Sequence, residues 1–243
     1  MTIDEERDYH FRYVLEDNFG NRRTYQFTVK GKRQDIPEYK PEANEMLYWN
    51  RTNVIQKPGM ELVVPRYYVY EDVPLRTDMR GDSSRIAFDY ILDAGRTPIH
   101  SYCDLSIGLR HMPVADTTKY YIVQKAGKWR SSMGGKYASG WIKTRVRSLG
   151  TFSVDVDTIA PQITPIGQGG WRTSRNIRFR IKDMESGIGS YKVYIDGKFV
   201  LFGLKKGILV IQDPEKVKKG VPHKLEVTVT DQCGNMARKE YKF

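Results

Sequence analysis

The sequence predicts an all-β chain: tandem β-sandwiches preceded by an orphan β-hairpin. Three observations predict it. One strand–turn–strand signature occurs at both ends, as FRYVLEDNFGNRRTYQFTV from Phe11 to Val29 and as LEVTVTDQCGNMARKEYKF from Leu225 to Phe243. Between them, short stretches alternate apolar and polar residues, the period of a half-buried strand, and none keeps the 3.6-residue period of an amphipathic helix. The composition agrees. With 16 Tyr and 9 Phe the chain is rich in residues that suit pleated surfaces, and 21 Gly and 11 Pro supply frequent turns.

Superposing Asp17 on Asp231 brings Gly20 onto Gly234 and Asn21 onto Asn235. It also aligns Phe11, Tyr13 and Leu15 with Leu225, Val227 and Val229. Each copy breaks its alternation at Asp-x-x-Gly-Asn, where Asp accepts backbone N–H bonds and Gly and Asn tolerate φ > 0. Such hairpins close antiparallel sandwiches, so the repeat predicts immunoglobulin-like units, which hold, space and bind more often than they catalyse. The first copy opens so near the start that residues 1–33 are expected to be the last hairpin of a truncated unit. A lone hairpin buries too little apolar surface to offset its ordering entropy. Phe11, Tyr13, Leu15, Tyr25 and Phe27 are therefore expected to cover a face of the next sandwich or to mediate self-association between chains.

The segment from Ile36 to Pro41 holds two prolines and reads as an extended linker. Residues 34–156 read as a middle β-sandwich. Its expected strands are Met60–Val64, Tyr67–Tyr70, Arg85–Leu92, Ser101–Ile107, Lys119–Gln124, Gly140–Arg147 and Gly150–Val156, with a turn at Ser132–Gly135. Asp157 to Pro165 is expected to be a second linker. Residues 157–243 then form a C-terminal immunoglobulin-like sandwich. Its strands are Ile177–Lys182, Tyr191–Ile195, Lys198–Phe202, Leu209–Gln212, His223–Thr230 and Ala237–Phe243. Asp196-Gly197 is a two-residue hairpin turn, and only Asp213–Lys219 has the residues for a helical turn.

The net charge is +11 and the pI about 9.5. Residues 158–243 hold 16 Lys and Arg against 8 Asp and Glu, so most of the excess sits at the C-terminal end. A polyanionic neighbour would suit that excess, but outward-facing strand positions such as Arg178 and Arg180 account for it as solvated charge. No RNA-binding aromatic motif or DNA-binding helix accompanies it, which argues against nucleic acid. No apolar run approaches the ~18 residues of a transmembrane helix. MTIDEERDYH lacks the apolar h-region of a signal peptide, and any export signal is expected on the missing upstream part. Cys103 and Cys233 lie in different expected domains and form neither a disulfide framework nor a zinc site.

Few residues point to chemistry. His100 and Asp104 are four apart on one strand face, the spacing of two metal ligands, but no His-x-His supplies a third. The expected roles are a turn for His100 and a surface strand position for Asp104. Arg80-Gly-Asp82 reads as the tip of a polar loop from Thr77 to Ser84. Asp17, Asp157, Asp183 and Asp231 sit singly at turns, where backbone capping explains them better than calcium, which needs six or more oxygens. Trp49, Trp129 and Trp141 would stack on sugar rings if exposed. No catalytic, cofactor or metal residue is assigned.

The run Asp157-Thr-Ile-Ala-Pro-Gln-Ile-Thr-Pro165, then Trp171, Ile177–Asp183, Ser186-Gly-Ile188, Tyr194-Ile-Asp-Gly-Lys198 and Val229–Asn235 resembles a bacterial immunoglobulin-like module. Upstream come the Asp17–Asn21 hairpin, the region around His100, Lys119–Val123, Gly134–Tyr137, Gly140-Trp-Ile142 and Gly150–Val154. In that order they resemble the C-terminal accessory region of lysostaphin/LytM-type peptidoglycan zinc metallopeptidases. The resemblance covers nearly all of the chain. It implies a periplasmic or extracellular cell-envelope protein whose zinc ligands lie in an upstream peptidase domain. None of that domain's motifs occurs here, so the chain itself is expected to be a non-catalytic spacer and docking region. Its expected partner is a protein or a cell-wall glycan surface. The alternative is an independent adhesin or carbohydrate-binding module.

Overall fold

The Asp-x-x-Gly-Asn sequence folds the same way twice. In a computed structural model that describes residues 3, 5–32, 42–82 and 84–243, Asp17 Oδ1 accepts the N–H groups of Phe19 and Asn21, each at 2.9 Å. Its Oδ2 accepts Asn21 Nδ2 at 2.8 Å. Asp231 repeats the set: Oδ1 accepts Cys233 N and Asn235 N at 2.8 Å, and Oδ2 accepts Asn235 Nδ2 at 2.7 Å. Gly20 and Gly234 take φ +80° and +79°, a conformation that a Cβ would strain. The hydrogen bonds from Asn21 and Phe19 hold the Asp17 carboxyl below its ordinary value.

Residues 1–40 and 41–243 form separate units. In the first, β1 (Asp8–Glu16) pairs antiparallel with β2 (Arg22–Lys30), from Asp8 opposite Lys30 to Glu16 opposite Arg22. Alternation puts Phe11 opposite Phe27 and Tyr13 opposite Tyr25 on one face. The Phe11 and Phe27 rings stack at 5.1 Å, and Tyr13, Leu15, Tyr25 and Phe27 are all exposed. The expected linker Ile36–Pro41 lies outside the described residues.

The second unit opens with β3 (Glu45–Leu47), β4 (Asn53–Lys57), β5 (Met60–Val64), β6 (Val73–Arg80), β7 (Asp89–Asp93) and β8 (Cys103–Gly108). There follow β9 (Tyr120–Ala126), β10 (Trp129–Ser132), β11 (Lys136–Ala138), β12 (Trp141–Val146) and β13 (Gly150–Val156). One sheet runs β10-β9-β13-β7-β6-β3 and the other β11-β12-β8-β5-β4, all antiparallel. Their inner faces share one core. Leu62, Leu105 and Ile142 come from the second sheet, and Leu75, Leu92, Ile122 and Phe152 from the first. Each fully buried Leu or Phe contributes about 1.5–3 kcal/mol. Three expectations need correction. The expected polar loop from Thr77 to Ser84 is strand up to Arg80, where β6 ends. Tyr67–Tyr70 is a turn, because Tyr67 takes φ +67° and its N–H turns back onto Trp49 O at 2.7 Å. Residues 85–88 also stay outside the ladder, and β7 begins at Asp89.

At Gly134-Gly135 the chain changes sheets. Met133 and Gly134 still bond to Ile122 of β9, whereas Lys136 already faces Lys143 of β12. Gly135 has φ +142°, and a Cβ there would lie 2.5 Å from Ile142 Cγ2, so only glycine fits the crossing.

The chain continues with β14 (Gln162–Ile166), a one-turn α1 (Trp171–Ser174), β15 (Arg178–Lys182), β16 (Ile188–Ile195) and β17 (Lys198–Phe199). It ends with β18 (Phe202–Lys205), β19 (Ile208–Ile211), β20 (Lys224–Asp231) and β21 (Met236–Lys242). These make two four-stranded sheets, β14-β15-β19-β18 and β17-β16-β20-β21, around a second core. Half of the expected linker Asp157–Pro165 is thus strand β14. It is an edge, which is why Pro165 is tolerated there. The expected strand Lys198–Phe202 is two strands, one in each sheet. Asp196 and Gly197, with φ +50° and +77°, make the expected hairpin turn. Strands take 52% of the described residues and helix 6%, so the fold is an all-β pair of sandwiches with the hairpin before them.

His223 gives this second sandwich a pH dependence. Its Nδ1 meets Asp196 Oδ2 at 2.6 Å and its Nε2 meets Lys218 O at 2.8 Å. Both neighbours are acceptors, so only the imidazolium satisfies both. Burial opposes that charge, but the bonds to Asp196 and Lys218 outweigh it, and the pKa rises above the ordinary 6.5. A raised folded pKa contributes stability in full below the unfolded value and loses it as pH rises through the folded value. Melting temperature should therefore fall as pH climbs above 6.5, and His223→Gln should flatten the slope. A wild-type melting temperature that rises over that range would contradict the assignment.

Candidate functional site

In the 41–243 unit a polar network joins the two sandwiches where they meet. Asp157, 1% exposed, directly follows β13. Its Oδ2 accepts Ser186 N at 3.0 Å and the Ser186 hydroxyl at 2.5 Å, and its Oδ1 accepts Ile159 N at 2.9 Å. Its N–H donates to Lys119 O at 2.9 Å and its carbonyl accepts Asn235 Nδ2 at 3.0 Å. Asp183 Oδ2 accepts Gly187 N at 2.6 Å and Glu185 N at 3.1 Å. Gln232 N then donates to Gly187 O at 2.9 Å, joining the turn after β15 to the turn after β20.

Three of the four turn aspartates thus converge, with ligand atoms of Asp157, Asp183 and Asp231 within 4.8 Å of one another. Asp17 belongs to the other unit. Burial first, and then the neighbouring Asp157 charge, raise the Asp231 carboxyl against the bonds from Asn235. Both oxygens of Asp157 and of Asp231 are already engaged by N–H and O–H donors. These aspartates cap backbone, as the sequence predicted, but Asp157, Asp183 and Asp231 do not sit singly as expected, and in converging they stitch three segments together.

Beside them the sandwiches touch directly. Tyr121, Val123 and Cys233 form a small buried cluster. Lys119 Nζ donates to Cys233 O at 2.9 Å, and the Tyr121 hydroxyl donates to Glu185 at 3.2 Å. Burial, followed by the charges of Asp155 and Glu185, pushes the Tyr121 phenol far up, so it stays a donor. Cys103 and Cys233 are free and buried, and burial raises each thiol to about 11. Neither is a thiolate nucleophile near neutral pH.

Next to this contact lies a cleft of about 870 Å³. The outer face of the β11-β12-β8-β5 sheet floors it, and Tyr121, Gln232 and Cys233 wall it. Strand register orders the floor into rows. One reads Lys136, Lys143, Ser106, Glu61, and the next reads Arg145, Asp104, Val63. The Arg145 guanidinium lies 5.4 Å from the Tyr102 ring centre.

The structure separates His100 from Asp104. His100 Nδ1 bonds the Tyr70 hydroxyl at 3.0 Å and its ring packs on Tyr68, whereas Asp104 lines the cleft opposite Arg145. Arg80 ends β6, its side chain pairs with Asp78, and Asp82 caps Ser84. Among the tryptophans, Trp171 is fully buried, Trp141 is half-buried, Trp129 is exposed, and Trp49 is 45% exposed against Tyr67. Sequence reasoning missed the cleft lysines. Their signal is Ser139-Gly140, a two-residue turn with φ +49° and +85° that sets Lys136 opposite Lys143.

Among curated proteins, none matches the chain. Residues 44–157 match the family model of a Zu5-like domain, a span that runs from the start of the middle sandwich to the junction residue Asp157.

Proposed function

We propose that this chain is a non-catalytic spacer and docking region of a bacterial cell-envelope protein, carried beside a peptidoglycan metallopeptidase. The observation that supports it most is the Asp157 junction. Ser186, Asn235 and Lys119 bridge the two sandwiches there, so an attached domain would be held at a set distance. A spacer of that kind raises the effective concentration of its neighbour at a surface without new chemistry. The basic C-terminal sandwich suits an anionic wall polymer. The exposed aromatic face of the hairpin adds a contact for a second copy. The order of motifs from Asp17 to Asn235 supplies the envelope assignment.

Sedimentation with purified peptidoglycan sacculi tests it. The chain should pellet with sacculi at low salt, leave the pellet at high salt, and release no soluble fragments. Full recovery in the supernatant, or release of muropeptides, would count against it.

One observation favours a glycan-binding reading. Tyr67 sits in left-handed backbone, unusual for a residue with a bulky side chain, and that conformation holds its ring 5.7 Å from Trp49 with both exposed. Under this reading Trp49→Ala abolishes binding of soluble oligosaccharide while leaving the fold intact.

A further inference from the structure

The cleft has a charge arrangement that the fold does not require. Lys136 and Lys143 stand directly opposite each other on neighbouring strands, where like charges are destabilising. Neither ammonium has an acidic partner among the described residues. Both are exposed and line the cleft. A pair of cations placed so is relieved by an anion between them.

Spacing and surroundings indicate which anion. Arg145 follows Lys143 by two residues on β12, so their Cα atoms are about 6.6–6.8 Å apart along the strand. That is also the spacing of alternate side chains in an extended peptide. Asp104 stands opposite Arg145, whereas Lys143 has Lys136 on one side and the neutral Ser106 on the other, which leaves the lysine pair as the stronger seat. Glu61 and Asp104 on the same floor repel a dense polyanion, yet they accept N–H bonds readily. A ligand with separated carboxylates and N–H groups between them matches this lining better than a polyphosphate does.

We propose that this cleft binds an acidic polypeptide segment in extended conformation, seating one carboxylate between Lys136 and Lys143 and a second at Arg145. The site lies on rigid strands, and the wall residues Gln232 and Cys233 belong to the other sandwich, so binding also clamps the junction. This goes beyond the docking reading and stands or falls without it, because no wall polymer is needed to test it.

The test is an amide-shift titration of the full chain with a six-residue peptide alternating glutamate and threonine. Saturable shifts at Gly134, Gly135, Lys136 and Lys143 are expected. Binding should be lost near 1 M salt, where the Debye length falls to about 3 Å. The double variant Lys136→Glu/Lys143→Glu should bind roughly tenfold or more weakly, and since both side chains are exposed its melting temperature should not change. The control peptide alternating lysine and threonine should give no shifts at these residues. The proposal is overturned if the wild type shows no saturable shifts there, if the double variant binds as tightly, or if polyphosphate binds better than the peptide.

Discussion

Trp171→Ala should lower the melting temperature of the C-terminal sandwich by roughly 15–30 °C, the largest effect expected of any single substitution here. Trp171 is 0% exposed and meets Phe179, Tyr241 and Phe243 edge-on, with ring centres 5.0, 5.9 and 5.7 Å away. Its Nε1 donates to Ile166 O at 2.9 Å, fixing the loop between β14 and α1. Removing it leaves a cavity between two sheets whose strands cannot close in, and such a truncation costs about 3–5 kcal/mol. Trp171→Phe keeps part of the volume and should cost less. Amide exchange in β20 reads the effect locally. A shift of only ~2 °C would mean that the core collapses around the gap.

Asp157→Ala should have the second largest effect and act at the junction. Ser186 is 0% exposed, and Asp157 alone accepts its N–H and its hydroxyl in the bonds found. Losing the carboxylate strands two buried donors at about 1–3 kcal/mol each, so roughly 4 kcal/mol in all. Asp157→Asn keeps one carbonyl acceptor and should cost about half as much. Thermal melts of both variants check the order. If Asn and Ala prove equal, the charge and not the acceptor is what matters at this position.

The turn chemistry could be read directly from the sequence. Asp17 and Asp231 cap their hairpins with the same atoms, and Asp196-Gly197 turns as a two-residue hairpin should. These are local effects, fixed by a few neighbouring residues. Strands β13 and β20 were visible for a similar reason, since apolar and polar residues alternate along them. Strand β6 was hidden although Val73, Leu75 and Thr77 alternate inward along it, because Pro74 and the polar stretch from Thr77 read as loop, and β14 because Pro165 reads as a linker until an edge position makes it harmless. Tyr67 misled for the opposite reason: β-prone residues at 67–70 were overridden by the backbone bond to Trp49. The site was the least visible part. The meeting of Asp157 with Ser186 and Asn235, and of Lys119 with Cys233, depends on how two sheets stack across as many as 114 residues of sequence, which no local pattern records.

The proposed spacer depends on the two sandwiches moving as one body. Residual dipolar couplings of backbone amides measure this most directly. A rigid junction predicts that one alignment tensor fits the amides of β5, β8 and β13 together with those of β15, β16 and β20. In Asp157→Ala the fit should split into two tensors. Two tensors of different magnitude in the wild-type chain would contradict the spacer.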